Sequence, residues 1–356
     1  MEQRLIKLRE QMVIDGLDAV FLSNPISRLY LTGFTGSAGW VLITRDAQFL
    51  ISDFRYVGQA MEEAPSFTFI KHEGQPFRDV KDILGKTNVK EIAFEQDHLT
   101  FQQYDKLASV LEGFVLLPKS GLIEKLREVK DDEEVALIRE AAAIADRAFL
   151  SILEEVRPGL TESAIDLRLE ILMREQGATS SSFETIVASG PRSALPHGRA
   201  SDRVLQKGDL VTLDFGALYK GYCSDMTRTF MIGTPSSLQK EIYQIVLVAE
   251  QKAVAAIRPG IPGKEVDEVA RNWITKHGYG ERFGHSTGHG VGLEVHEGPN
   301  LSFRGETKLA PGMVVTVEPG IYLPDVGGVR IEDDVLVTEE GYEVLTPSSK
   351  ELIIID

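Results

Sequence analysis

Short apolar runs alternate with helical patterns through the first third of the chain. The runs are rich in β-branched and aromatic residues, and the segments between them repeat apolar residues every three or four positions. The predicted strands are residues 19–22, 40–44, 49–52, 67–71, 91–94 and 114–117, and the clearest predicted helices are residues 2–14 and 101–111. This alternation predicts a small α/β domain.

The pattern changes at Asp131, where a long amphipathic helix is predicted to begin. Acidic residues at 131–134 suit the positive end of a helix dipole. The apolar residues that follow recur at spacings of three and four, on one helix face: Val135, Ile138, Ala142, Ala145, Phe149 and Ile152. We therefore predict two domains, residues 1–125 and 126–356, a division that the length of 356 residues also favours.

The second predicted domain contains an internal repeat. Residues 157–160 (Arg-Pro-Gly-Leu) return as residues 258–261 (Arg-Pro-Gly-Ile), 101 positions later, and in both places Pro and Gly break a helical pattern. Residues 205–214 match residues 309–318 at a similar offset of 104 positions. Two helices followed by a β-ribbon thus occur twice, which predicts an α+β domain made of two halves related by a pseudo-twofold axis.

Charge, hydropathy and cysteine content disfavour several classes of protein. The formal net charge of −16 disfavours nucleic acid as a partner, because such binding depends on Lys and Arg contacts to phosphate. No apolar stretch approaches the roughly 20 residues of a membrane helix, and residues 1–8 lack the apolar run of a signal peptide. The single cysteine, Cys223, excludes an intramolecular disulfide. We expect a cytoplasmic protein with no membrane or nucleic-acid partner.

The repeat aligns two acidic residues, Asp214 and Glu318, each at the end of an apolar strand pattern. A short ribbon later, each half supplies a second carboxylate, Asp225 or Glu332. A buried carboxylate costs several kcal/mol unless it is compensated, and a cation is the simplest compensation. If the halves face each other, the four carboxylates converge on one site.

A fifth candidate donor is His289, which lies among glycines that let the backbone approach a site closely. Four carboxylates and one imidazole suit two divalent ions of the Mn²⁺, Co²⁺, Fe²⁺ or Zn²⁺ type. Each residue also has an ordinary interpretation. Asp214 alone would cap a turn or pair with an arginine, Glu332 would pair with Arg330 on an exposed strand, and His289 would be structural.

Three further histidines, His197, His285 and His296, lie in loop or strand-end contexts around the same segments. The remaining histidines, His72, His98 and His277, have no such setting, and we interpret them as surface or packing residues. The histidines near the carboxylates are therefore candidates for contact with a substrate.

These segments resemble the Xaa-Pro peptidases, the prolidases and aminopeptidases P of the pita-bread metallopeptidases. The resemblance covers residues 130–356 and is carried by Gly-His-Gly-x-Gly-x-x-x-His-Glu at 288–297 and Val-Glu-Pro-Gly-Ile-Tyr at 317–322. Residues 31–39 and 53–56 bear a weaker similarity to the creatinase-like N-terminal domain of that family. The resemblance implies an α/β N-terminal domain followed by a pita-bread catalytic domain, and hydrolysis of Xaa-Pro bonds in proline-containing peptides.

The resemblance also implies a ligand set. Asp214 and Asp225 would bind one ion, Glu332 would bridge both ions, and His289 and Glu318 would complete the second site. Mn²⁺ or Co²⁺ is the expected pair of ions, with Zn²⁺ or Fe²⁺ as alternatives.

The same resemblance assigns roles to the residues around the ligands. Glu318 would also carry a proton to the leaving proline nitrogen, and His296 and His285 would stabilise the oxyanion or position the scissile carbonyl. His197 would contact the substrate. Arg330 and Tyr322 would orient the ligands.

Several alternatives share this fold. A metal-free amidinohydrolase of the creatinase type and a non-catalytic binding protein are disfavoured by the complete ligand set, and methionine aminopeptidases lack the N-terminal domain. The choice between a dipeptidase and an aminopeptidase P stays open, with the compact length favouring the dipeptidase. Because residues 33–39 and 53–56 are too glycine-rich or too polar to be only core, we predict that the small domain caps the active site across a homodimer and sets the length of peptide admitted. An Arg or Lys of the first domain, from the same or a partner subunit, is expected to recognise the C-terminal carboxylate of a dipeptide.

Overall fold

A computed structural model describes residues 1–356, which form two compact units, Met1–Arg127 and Glu128–Asp356. No helix in either unit combines the length and apolar character needed to cross a bilayer.

The first unit is an α/β sandwich around one six-stranded mixed sheet of order β4-β3-β2-β1-β5-β6. Its strands are β1 (Ala19–Leu22), β2 (Trp40–Thr44), β3 (Gln48–Ser52), β4 (Thr68–Lys71), β5 (Glu91–Glu95) and β6 (Val115–Lys119). Its helices are α1 (Glu2–Ile14), α2 (Pro25–Thr32), α3 (Val57–Glu63), α4 (Pro76–Leu84) and α5 (Phe101–Val110), and α6 (Glu124–Glu128) contains the boundary. The α/β class predicted for this region is confirmed.

The predicted strands and helices of this unit lie within two residues of the observed ones, because local signals set their ends. The Thr100 hydroxyl accepts a hydrogen bond from the Gln103 backbone amide, and the Gln103 side-chain oxygen accepts one from the Thr100 backbone amide. This capping box starts α5. Gly33, at φ 74°, ends α2 in the left-handed conformation that glycine adopts without strain.

The second unit contains four long helices and a set of small sheets. The helices are α7 (Asp132–Glu155), α8 (Glu162–Glu175), α9 (Ser237–Ala256) and α10 (Gly263–Lys276). Helix α7 starts where the sequence predicts, since the Asp131 carboxylate accepts a hydrogen bond from the Glu134 backbone at 2.9 Å. Three 3-10 helices also occur in the chain, at Phe54–Tyr56, Gly190–Ala194 and Gly280–Arg282.

Three sheets and one separate ribbon complete this unit, with orders β11-β10-β7, β20-β12-β9-β8, β14-β13-β15-β18-β19 and β16-β17. The strands of the first half are β7 (Ser180–Ser181), β8 (Ile186–Ser189), β9 (Leu210–Phe215), β10 (Ala217–Tyr219), β11 (Tyr222–Cys223) and β12 (Met226–Ile232). Those of the second half are β13 (Gly288–Gly290), β14 (Glu297–Leu301), β15 (Val314–Val317), β16 (Gly320–Leu323), β17 (Gly327–Arg330), β18 (Asp333–Val337) and β19 (Tyr342–Val344), and β20 (Ile354–Ile355) joins the sheet of the first half.

Backbone contacts repeat between the two halves at the offsets seen in the sequence. An isolated bridge pairs Thr161 with Val204 in the first half, and its counterpart pairs Pro262 with Lys308 in the second. The Gly159 amide donates to Leu205, and in the second half Gly260 donates to Leu309. The duplication predicted from the sequence is therefore present in the fold.

Each half has its own apolar core between its two helices and its sheet. The first core includes Phe149 on α7, Leu169 on α8 and Phe230 on β12. The second includes Val246 on α9 and Val266 on α10, together with strand residues of β15 and β18. Burial of these side chains holds the strand ends that carry the candidate site.

Candidate metal centre

The four predicted carboxylates lie at the ends of two antiparallel strand pairs. In the first pair, Asp214 on β9 is opposite Thr227 on β12, and Asp225 immediately precedes β12. In the second pair, Val317 is opposite Asp333, so Glu318 and Glu332 each lie one residue beyond that pair. A hydrogen bond from the Glu332 amide to the Thr227 carbonyl, 3.1 Å long, brings the two pairs together.

His289 enters the site from β13, between Gly288 and Gly290. A Cβ atom at either glycine would overlap a carbonyl oxygen, that of Thr316 or that of Gly298, so only glycine lets the neighbouring strands approach. The His289 Nδ1 lies 3.1 Å from the Gly290 carbonyl, which can only accept a hydrogen bond. Nδ1 therefore carries a proton, and Nε2 is directed toward the carboxylates. Burial disfavours the charged imidazole, but the Glu318 carboxylate outweighs it and raises the pKa of His289, which favours a protonated Nε2 that donates to Glu318 when no ion is bound.

Asp225, His289 and Glu332 have donor atoms within 4.8 Å of one another. The His289 Nε2 lies 3.7 Å from the Asp225 Oδ2 and 3.4 Å from the Glu318 Oε1. A buried group of oxygen and imidazole donors at these spacings can hold a divalent cation.

The electrostatics of this group fit a cation. Asp225 and Glu332 are only 5% and 1% exposed, and the buried Asp225 Oδ1 has no hydrogen-bond partner. Burial raises the pKa of both carboxyls well above the usual range, and repulsion from neighbouring carboxylates adds to the rise. Without a cation, burial and mutual repulsion disfavour the ionisation of both groups together.

Asp214 and Glu318 respond differently to the same surroundings. Burial raises the pKa of Asp214, although Arg330 Nη2 donates to its Oδ2 at 2.6 Å and opposes the rise. Burial also acts on Glu318, but the hydrogen bond with His289 and the nearby positive charge lower its pKa below the usual value. Arg330 thus pairs with Asp214 in a buried site, rather than with Glu332 on an exposed strand.

Arg330, Tyr322 and His285 form a hydrogen-bonded chain beside the ligands. Arg330 Nη1 donates to the Tyr322 hydroxyl at 2.9 Å, and this hydroxyl is 2.8 Å from His285 Nε2. The other ring nitrogen of His285 lies 2.8 Å from the Ser286 carbonyl. Both nitrogens of His285 therefore have partners, and burial lowers the pKa of this imidazole, so that the neutral form is favoured.

A cavity of about 280 Å³ opens over the candidate ligands Asp214, Asp225 and His289. Its lining residues are Phe183, Glu184, Ile186, His197, Arg199, Asp214, Asp225, His289, Val295 and His296. The His296 ring lies edge-on to His289, with centroids 4.4 Å apart, and burial lowers its pKa, an effect that neighbouring His289 increases. His296 and His197 both present imidazoles to this cavity.

Several residues near the site were missed in the sequence, among them Thr227, Arg199 and the cavity residues Phe183, Glu184, Ile186 and Val295. The Thr227 hydroxyl donates to Glu332 Oε2 at 2.5 Å and accepts from Arg330 Nε at 3.1 Å. Arg199 lines the cavity beside His197. Thr227 lies two positions from Asp225 at the start of β12, where alternation along the strand would have placed both on the same face. Arg199 follows His197 across a turn in which its amide donates to the His197 carbonyl at 3.0 Å, so strand alternation gives no signal for it.

Buried carboxylates and an imidazole beneath an open cavity, on a duplicated α+β scaffold, define a metal-dependent hydrolase. Sequence comparison makes the class specific. Residues 136–339 match Metallopeptidase family M24, and residues 4–129 match the Creatinase/Prolidase N-terminal domain. The chain belongs to metallopeptidase family M24, and this membership implies that it binds divalent metal.

The similar proteins span the full chain. The Xaa-Pro dipeptidase of Pyrococcus furiosus is 41% identical over 355 residues, which cover 99% of this chain and 100% of that protein. The structure of an Xaa-Pro dipeptidase from Bacillus anthracis is 52% identical, covers 99% of both chains and superposes with a TM-score of 0.97. An X-Pro aminopeptidase from Thermotoga maritima is 42% identical, with a TM-score of 0.90 and coverage of 96% and 98%.

Proposed function

We propose that this chain is a metal-dependent Xaa-Pro dipeptidase. The observation that carries the proposal is the cluster of donor atoms of Asp225, His289 and Glu332, with Glu318 beside His289, next to a cavity of about 280 Å³. Asp214, Asp225 and His289 line that cavity. Relatives described as Xaa-Pro dipeptidases share this architecture over their whole length.

Two divalent ions, Mn²⁺ or Co²⁺ in preference to Zn²⁺ or Fe²⁺, would be held by the predicted ligands. Asp214 and Asp225 would hold one ion, His289 and Glu318 the other, and Glu332 would contribute to both. Such ions supply Lewis acidity, which polarises a peptide carbonyl and lowers the pKa of water toward neutrality.

Glu318 is the carboxylate best suited to move a proton. The positive charge around it favours its ionised form, and its side chain is 17% exposed, more than those of Asp225 and Asp214. We assign to Glu318 the transfer of a proton to the proline nitrogen, which has no N–H of its own and leaves as an amine.

The three histidines around the ligands differ in their hydrogen-bond partners, and their assigned roles differ accordingly. His296 lines the cavity and makes no hydrogen bond within the chain, so its imidazole is available to the scissile carbonyl or to the oxyanion that forms from it. His197 lines the same cavity and is assigned to the substrate. His285 acts through Tyr322 and Arg330, because both of its ring nitrogens are engaged.

The apolar lining fits a proline ring. Phe183, Ile186 and Val295 contribute carbon surface to a cavity that otherwise presents carboxylates and imidazoles. A pyrrolidine ring gains from such contact, whereas a charged side chain would lose hydration there.

Metal dependence can be tested directly. Chelation should abolish hydrolysis of Ala-Pro, and Mn²⁺ or Co²⁺ should restore it. Full activity in protein shown by elemental analysis to be metal-free would contradict the proposal.

Substrate length separates the two peptidase types. A dipeptidase should have a kcat/KM for Ala-Pro far above that for Ala-Pro-Ala, whereas an aminopeptidase P should cleave the tripeptide at least as well. Equal or better cleavage of Ala-Pro-Ala would replace the dipeptidase assignment with the aminopeptidase.

The assembly and location are part of the same proposal. We assign the chain to a homodimer in the cytoplasm, where a single cysteine suits the reducing conditions. Light scattering should give twice the mass of 39.4 kDa, and fractionation of cells should place the activity in the cytosol. A monomeric mass would contradict the homodimer.

A further inference from the structure

Arg199 is the one Lys or Arg side chain that lines the cavity above the candidate metal centre. Its guanidinium forms an ion pair with Glu184, which lines the same cavity, with Arg199 Nη2 2.8 Å from Glu184 Oε2. The two side chains are 74% and 62% exposed, so the pair lies in solvent, where its net contribution to stability is about 0–1 kcal/mol. A contribution to folding stability therefore does not explain why this ion pair lies in the cavity.

The backbone of Arg199 is held firmly although its side chain is exposed. The Arg199 carbonyl accepts a hydrogen bond from Arg192 Nη2 at 2.5 Å, and Arg192 Nε donates to the fully buried Glu162 at 3.0 Å. Glu162 also accepts from the Ser201 amide at 3.1 Å, so the chain is fixed on both sides of Arg199. A cation on a fixed backbone loses less conformational freedom on binding than one on a mobile loop.

Strand pairing places Arg199 at a defined distance from the metal ligands. Ile186 pairs with Asp214 on one side and forms an isolated bridge with Arg199 on the other. Directly paired residues share a face of a sheet. Each step between antiparallel strands is about 5 Å, so the Cα atoms of Arg199 and Asp214, two steps apart, are separated by about 10 Å. The three side chains accordingly line one cavity.

This spacing suits the end of a dipeptide. When the scissile carbonyl lies at the metal centre, the carboxylate of an Xaa-Pro dipeptide lies within about one residue length, 3.8 Å, of the bond that is cleaved. A long arginine side chain that starts about 10 Å from Asp214 can meet a carboxylate there. In a tripeptide the carboxylate lies about one further residue length away.

We propose that Arg199 binds the C-terminal carboxylate of the substrate and thereby sets the preference for dipeptides, an inference that rests on the proposed Xaa-Pro dipeptidase function. The guanidinium offers several N–H groups beyond the one that faces Glu184, and a planar guanidinium binds a carboxylate through two parallel hydrogen bonds. Glu184 holds the guanidinium in the cavity and is the carboxylate that the substrate displaces or joins.

The test compares Ala-Pro with Ala-Pro-amide, which lacks the negative charge, in wild type, Arg199→Gln and Glu184→Gln. In Arg199→Gln, KM for Ala-Pro should rise about 10- to 100-fold with kcat largely kept, while KM for the amide should not change. In Glu184→Gln, KM for Ala-Pro should stay level or fall, because a competing carboxylate is removed. High salt should raise KM for Ala-Pro in wild type but not in Arg199→Gln.

Arg139→Gln is the control, because Arg139 also forms a surface ion pair, with Glu343 at 2.9 Å and side chains 47% and 44% exposed, and does not line the cavity. Thermal melts of all three variants should match wild type. Equal KM values for Ala-Pro in wild type and Arg199→Gln would overturn the inference, as would a KM that rises in Glu184→Gln but not in Arg199→Gln. A wild-type protein that cleaves no Xaa-Pro peptide would instead contradict the proposed function.

Discussion

Asp214 and Glu318 occupy equivalent positions in the two halves of the catalytic unit, at the ends of β9 and β15, yet their partners come from different places. Asp214 is held by Arg330, which belongs to the other half, at 2.6 Å. Glu318 is held by His289, from its own half, at 3.4 Å. Burial raises the pKa of Asp214, while the hydrogen bond with His289 and the nearby positive charge overcome burial and lower that of Glu318.

The halves differ in a second way. Ser189 pairs with Val211 in the first half, and Gly290 pairs with the matching Val315 in the second. The residue before Ser189 is Ala188, whereas the residue before Gly290 is His289. A symmetric scaffold thus carries an asymmetric site, in which one half supplies the imidazole and the other receives the arginine.

Removal of the imidazole that only the second half supplies should have the largest effect. His289→Ala should lose metal occupancy, and activity should fall by more than the about 10³-fold that a lost transition-state donor costs. Metal analysis and kinetics check both effects. His277→Ala, which alters an exposed histidine outside the cavity, is the control and should change neither. Full metal occupancy in His289→Ala would show that the ligand is assigned wrongly.

His296 packs edge-on against His289 but is not an expected ligand, so its loss should separate turnover from metal binding. His296→Ala should keep both ions and lose about 10²- to 10³-fold in kcat. The His296 ring makes no hydrogen bond within the chain, and the melting temperature should therefore change little. A small change in kcat with a loss of about 1–3 kcal/mol in stability would indicate a structural role instead.

Thr227 lies where the two halves meet, and its hydroxyl links Arg330 to Glu332. Thr227→Val keeps the side-chain volume but removes that hydroxyl, so Glu332 loses a hydrogen bond that orients it. We expect metal affinity to fall about 10- to 100-fold, measured by calorimetric titration of the metal-free protein. Thr227→Ser should restore the affinity, and failure to do so would mean that methyl packing, rather than the hydroxyl, is what matters.

The effect of pH on the metal-free protein should be the smallest. Burial and mutual repulsion raise the folded-state pKa values of Asp225 and Glu332 above their unfolded values. These two carboxyls therefore stabilise the chelated protein fully at low pH, and this contribution is lost as pH rises through the window between their unfolded and folded pKa values. As pH rises above the unfolded carboxyl pKa values of about 4, we expect the melting temperature to drop on the order of a few degrees.

The metal-loaded protein provides the control for this effect. Bound cations favour the ionised carboxylates, so the loaded protein should show no such drop, and metal binding should release more protons at low pH. Proton release can be measured by calorimetry in buffers of different ionisation enthalpy. A melting temperature of the chelated protein that rises with pH would contradict the raised pKa values.

Much of the scaffold could be predicted because its signals are local. The capping box at Asp131 and Glu134 and the repeated Arg-Pro-Gly breaks mark helix ends by short-range hydrogen bonds and backbone limits. The repeat also aligned Asp214 with Glu318, and this alignment predicted both acidic positions of the site. The proximity of Thr227 to Arg330 could not be predicted in this way, since 103 residues separate them.

The sequence by itself determined the strand and helix pattern, the duplication and the set of acidic and histidine candidates, because each depends on residue type and spacing along the chain. Only the tertiary structure decided which partner each candidate has. It paired Arg330 with Asp214, engaged both nitrogens of His285 and placed Arg199 two strands from Asp214. These outcomes depend on which segments pack together across long sequence separations, where burial and charge, rather than local propensity, set the energy.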